Sequence, residues 1–166
     1  MNYSLSNHDI DRMIPGSFML YSDFDTVKNI NRFMPVGTGK IILIRDSQNS
    51  GHYLVLFRYG TNKYFFVNSF GHGVDEQMKR YISPKKNDLY NGGADDLSRL
   101  LKLKHVSCLN LPLQDTTSSV CGRYCLFFLK LFMNGDSLTE AVKSLKKYCK
   151  ENGVSTDEAM LTLVQI

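Results

Sequence analysis

At 166 residues the chain is long enough for one domain with a sizeable core and short for two. Its 43% hydrophobic and 22% charged content excludes a disordered composition, and no apolar run reaches the ~18–20 residues that a membrane span requires. The net charge of +4 is mild, so the lysines at 85–86 and 143–150 are read as solvated faces, with weak nucleic-acid binding as the sharper alternative.

The N-terminus is polar, with no basic segment leading into an apolar one, so the protein is not expected to be secreted. Cys108, Cys121, Cys125 and Cys149 are then free thiols in a reducing compartment. A zinc site is disfavoured, because Cys121 and Cys125 are followed by neither a second close Cys pair nor a His pair.

In chain order, residues 26–33 read as a helix broken by Pro35 and Gly37. Residues 40–45 form a short apolar run expected as a buried strand. Residues 52–59 and 63–70 are rich in aromatic and β-branched side chains and flank Gly60-Thr61-Asn62, the pattern of a β-hairpin. Residues 74–81 follow as a helix whose continuation Pro84 bars, and 91–93 as a turn. Residues 95–103 read as a helix and 105–111 as a strand ended by Pro112.

From Cys121 to Met133 the sequence is apolar nearly all round, the signature of a central buried helix. Ser118 or Ser119 is its expected N-cap, and Asn134-Gly135 its stop. Ser137-x-x-Glu140 and Ser155-x-x-Glu158 each match a capping box and open two further helices. The expected architecture is one α+β domain, a small and mostly antiparallel sheet packed on the buried helix with peripheral helices around it.

The chemistry centres on Cys121. At the first turn of a helix the free N–H groups and the macrodipole favour a thiolate, the nucleophilic form of cysteine. Gly122 lets backbone or substrate approach closely, and Cys125, one turn on, reads as a small core residue. Four histidines could serve as base. His8 lies in an N-terminal segment expected to be mobile, His105 opens a strand, and His72 sits between two glycines. His52 begins one hairpin strand while Asn68 ends the other, which makes the two near neighbours. The Asn68 amide oxygen can then accept the Nδ1–H of His52 and leave Nε2 to take the thiol proton. Gln114, in the loop before the helix, could donate an amide N–H to an oxyanion beside the Cys121 N–H, though spacing alone favours a solvated loop glutamine.

Gly51-His52-Tyr53, then Phe66-Val67-Asn68-Ser69-Phe70-Gly71, then Gln114 and Cys121-Gly122 resemble the adenovirus-type maturation proteases, of the same clan as the SUMO-specific proteases. The resemblance covers about residues 40–133. It implies a papain-like core in permuted order, with His52 as base, Asn68 as orienting third member, Gln114 as oxyanion donor and Cys121 as nucleophile. Tyr53, where the clan often has Trp, and Gly122 would contribute to substrate binding. Asn68 stands where the clan often has Asp or Glu, and Asp75 is the less favoured substitute.

The implied activity is peptide-bond hydrolysis of polypeptide precursors at Gly-containing sites. The implied setting is capsid or core maturation in a virus, virophage or polinton-type element. The chemistry needs no cofactor, although some relatives take an activating peptide or nucleic acid. A monomer without membrane association is expected, cytoplasmic or nuclear in an infected host cell or packaged in the virion. Three alternatives stay open. Two share the site, a ubiquitin-like-protein isopeptidase and a same-clan acyltransferase. The third is a non-enzymatic basic nucleic-acid-binding domain.

Overall fold

The alternation of side chains along the hairpin strands builds two cores, one on each face of a single sheet. The computed structural model describes residues 4–166. Its five strands are β1 (Phe18–Leu20), β2 (Gly39–Arg45), β3 (Gly51–Gly60), β4 (Lys63–Val67) and β5 (His105–Cys108), and they lie side by side in that order. β3 runs antiparallel to both β2 and β4, while the outer pairs β1–β2 and β4–β5 are parallel. The α+β class is as expected; the antiparallel character belongs to the middle of the sheet, and its edges are parallel.

Ile41, Val55, Phe57, Phe65 and Val67 enter one core, whereas Ile42, Ile44, Leu54, Leu56, Tyr64 and Phe66 enter the other. Both faces of the central strands are thus covered, which is why β3 reads as a nearly unbroken apolar run. The first face is packed by α6 (Cys121–Met133), with α1 (Asn7–Met13), α7 (Leu138–Asn152) and α8 (Thr156–Leu163) around it. Tyr124, Leu126, Phe128 and Leu129 of α6 are fully buried, and each such side chain contributes roughly 1.5–3 kcal/mol. The second face carries a 3-10 helix (Tyr21–Thr26), α2 (Ile30–Phe33), α3 (Glu76–Tyr81), α4 (Pro84–Asn91) and α5 (Asp96–Leu100).

Both expected capping boxes are present, at Ser137 with Glu140 and at Ser155 with Glu158. Several local expectations are corrected. Pro84 lies beyond the end of α3 at Tyr81, as expected, but it also opens α4, capped by Ser83, because a residue without an N–H and with fixed φ suits the first helical position. The helix expected over 26–33 contracts to α2, capped by the Asn29 side chain. α5 and β5 are shorter than expected, and β4 ends at Val67, leaving Asn68 just outside the strand. His8, expected in an irregular N-terminal segment, lies in the capped helix α1. The N-cap of α6 is Val120, not Ser118 or Ser119, and no side chain caps it. Among the described residues no helix is long and apolar enough to cross a membrane.

Candidate active site

Register fixes the neighbours of His52. Ile44 faces it across β2. On the other side Val55 pairs with Val67, which carries the chain past β4 so that Phe70 meets the histidine ring. The two rings stack with centroids 4.4 Å apart. His52 is 6% exposed, and its Nε2 lies 2.9 Å from Asn68 Oδ1. The backbone N–H of Phe70 also donates to that oxygen at 2.9 Å. A backbone N–H can only donate, so the atom it meets is the amide oxygen, and the histidine nitrogen beside it carries the proton. Neutral His52 therefore keeps its lone pair on Nδ1. The pairing of the two residues is as expected, but the nitrogens are exchanged: Nε2–H is the oriented donor and Nδ1 the nitrogen left with a lone pair.

The turn that delivers Asn68 needs a glycine. Gly71 donates its N–H to the Asn68 carbonyl at 2.8 Å with φ +84°. A Cβ there would lie 2.7 Å from the Leu111 carbonyl carbon, so both conformation and space demand glycine. Within the turn Asn68 Nδ2 donates to Gln77 Oε1 at 2.7 Å, and Ser69 Oγ donates to Gln114 Oε1 at 2.5 Å. Adjacent residues at one strand end thus bind His52 and the candidate oxyanion donor, Asn68 the first and Ser69 the second.

Gln114 is a buried residue, 4% exposed, rather than a solvated one. Its backbone N–H donates to Ser69 O at 3.0 Å and its Nε2 to Ser118 O at 3.0 Å. One hydrogen of that amide is so engaged, and the second remains for a ligand. The loop is anchored from α8. Asp157 accepts from the Asp115 N–H at 3.1 Å and from the Tyr124 hydroxyl at 2.7 Å.

Cys121 opens α6 and is half-buried. Burial raises its thiol pKa, and the N–H groups of Tyr53, Gly122 and Cys121 itself work in the opposite direction. The bond from Tyr53 places the sulfur beside the residue that follows His52. Among the described residues no hydrogen bond joins the sulfur to His52. Burial also lowers the His52 pKa to about 4, with His72 acting the same way and the Asn68 bond and Asp46 opposing. Burial thus pushes both groups towards their uncharged forms, and for the thiol it works against the field of the helix terminus.

His52, Tyr53, Phe70, Gln77, Gln114, Cys121 and Gly122 line one cleft of about 770 Å³. Leu5 to Asn7 and the β2–β3 loop form its remaining walls. Tyr53 donates its hydroxyl to Asn7 Oδ1 at 2.6 Å and to Leu5 O at 3.2 Å, which fixes the first of these walls. Gly122 allows that wall to close, since a Cβ there would come 3.2 Å from Leu5 and 3.3 Å from Tyr53. Cys125 is buried in the core beneath.

The other candidates lie elsewhere. His72 packs between Phe70 and Tyr81, 3.7 Å from Glu76. His105 is exposed at the start of β5 and His8 is exposed on α1. Asp75 is buried and accepts from the Tyr21 hydroxyl and the Ser98 N–H, both at 2.8 Å, so it serves the second core. Sequence reasoning missed Ser69, Gln77 and Asp157. Ser69 stood inside the quoted motif, but nothing linear ties Gln77 or Asp157 to the site.

No protein-family model matches the chain. The sequence is similar to the uncharacterised protein V9 of the Sputnik virophage, at 28% identity over 169 residues, covering 98% of this chain and 94% of that protein. Among solved structures, the fold is similar to that of the ASFV pS273R protease, with a TM-score of 0.50 and 16% identity over 95% of this chain. The chain spans 65% of the length of that protease. At that identity the likeness is one of fold.

Proposed function

We propose that the chain is a cysteine endopeptidase of the adenovirus-type maturation class. The observation that carries the reading is the His52–Asn68 bond in the cleft that also holds Cys121 and Gln114. A histidine with one nitrogen held by an amide oxygen and the other available is built to move a proton. The likeness in fold to a viral protease supports the class, and similarity to a virophage protein supports a viral setting.

In this mechanism His52 Nδ1 takes the Cys121 thiol proton as the sulfur attacks the scissile carbonyl. The Cys121 N–H and the second Gln114 amide hydrogen donate to the oxyanion. The imidazolium then protonates the leaving amine, and water, deprotonated by Nδ1, cleaves the thioester. The Asn68 oxygen stabilises the imidazolium by a hydrogen bond without a formal charge. Substrates are polypeptide precursors with Gly beside the cleaved bond, as the family resemblance implies, and capsid or core proteins are the fitting class.

The test is hydrolysis of Gly-containing peptides read by mass spectrometry. The wild-type chain cleaves them, Cys121→Ala does not, and iodoacetamide blocks activity by labelling Cys121. Full activity in Cys121→Ala would sink the assignment.

A further inference from the structure

A neutral third member has a weakness that a carboxylate lacks. The two ends of an asparagine side chain are nearly the same shape, and turning Asn68 over would present an NH₂ group to His52. A donor there would favour the opposite tautomer, with the proton on Nδ1, and that nitrogen could no longer accept from the thiol. The structure holds the amide from both ends. The Phe70 N–H meets Oδ1 at 2.9 Å, and Gln77 Oε1 accepts from Nδ2 at 2.7 Å. Gln77 is the second residue of α3 and lies on the cleft wall.

We propose that Gln77 is a positioning residue that acts through Asn68 to keep His52 in the Nε2–H tautomer. The hydrogen-bond chain runs from His52 through Asn68 to Gln77. A turned Asn68 would set donor against donor at Phe70 and acceptor against acceptor at Gln77. The helix that supplies Gln77 thereby completes the orientation of the base on a scaffold outside the hairpin.

This inference rests on the protease reading for its kinetic consequence but not for its structural one, so two measurements separate them. The first is the ¹⁵N NMR spectrum of the resting protein, which reports the tautomer of His52 whether or not any peptide is cleaved. The second is peptide hydrolysis, with thermal unfolding used to confirm that each variant is folded. Gln77→Ala is expected to raise the share of the Nδ1–H tautomer and lower kcat by roughly three- to tenfold at unchanged KM. Gln77→Glu keeps an acceptor oxygen and should hold kcat within about twofold of wild type. Gln77→Lys offers only donors and should lose more than Gln77→Ala.

An unchanged His52 tautomer in both Gln77→Ala and Gln77→Lys would overturn the proposal, as would equal losses in the Glu, Ala and Lys variants. A tautomer shift in Gln77→Ala, together with no peptide hydrolysis by the wild-type protein, would retain the positioning role and sink the protease reading instead.

Discussion

At the end of the β3–β4 hairpin both polar atoms of the Asn68 side chain have partners, and His52 is stacked and hydrogen-bonded in place. At the start of α6 the Cys121 sulfur accepts from backbone N–H groups, and among the described residues no side chain caps the helix. Under the proposed function the difference assigns separate tasks. The hairpin end would supply the base, already oriented in the free protein. The helix start supplies donors that can be shared between a thiolate and an oxyanion, because a capping side chain would have occupied them. Ser69, next to Asn68, holds Gln114, so a shift of the strand end would move the partner of His52 and Gln114 at once.

The sharpest way to break this comparison is to remove the base. His52→Ala should lower kcat/KM by about 10²–10⁴-fold, the usual range for a general acid–base group. His72→Ala should stay within about threefold, a change of less than 1 kcal/mol. His72 shares a ring contact with Phe70 but lies outside the cleft lining. Steady-state hydrolysis of one peptide by both variants decides the matter, and the opposite ranking would move the base to the loop beyond the hairpin.

The middle of the sheet and the buried helix were legible because their signals are local and strong. β2, the hairpin and α6 are apolar runs bounded by turn residues, and two Ser-x-x-Glu boxes start α7 and α8. The edges were not legible in the same way. β1 is three residues long and pairs in parallel with a strand some twenty positions on, a contact that no local pattern announces. Pro84 was read only as a barrier to α3, and it is also the beginning of α4, since proline marks both. Within the site, order and spacing brought out His52, Asn68, Gln114 and Cys121. The choice between Nδ1 and Nε2 depended on the Phe70 N–H, and Gln77 depended on where α3 packs. Both are facts of three-dimensional placement.

A second test exploits burial, which acts on both halves. His52 has its pKa lowered from 6.5 to about 4 in the folded chain. The folded state therefore binds fewer protons than the unfolded state between those values. The stability held by neutral His52 is fully present above pH 6.5 and lost as pH falls towards 4, by at most roughly 3 kcal/mol. Urea unfolding at pH 7 and pH 4 reads this directly, and His52→Phe should flatten the dependence. For Cys121 the thiol is raised above its ordinary value of 9.0, so alkylation by iodoacetamide should accelerate with pH through and above 9. A fast plateau already at pH 6 would reveal a resting thiolate–imidazolium pair and erase the contrast between the two halves.

A smaller loss than that of His52→Ala is expected at the residue where the site departs from an acidic third member. In Asn68→Asp both carboxylate oxygens accept. The bonds from His52 Nε2–H and the Phe70 N–H survive, and only the donor to Gln77 is lost. The added charge favours the imidazolium, which helps the thiol lose its proton and hinders the later transfer to the leaving amine. These consequences oppose one another, so kcat/KM should remain within about tenfold of wild type, ~1.4 kcal/mol. The acid limb of its pH profile should move upward, because a carboxylate raises the pKa of the histidine it faces. A far larger loss would mean that the buried pocket tolerates only a neutral partner. Orientation by Asn68 and Gln77, rather than charge, would then be the property on which the base depends.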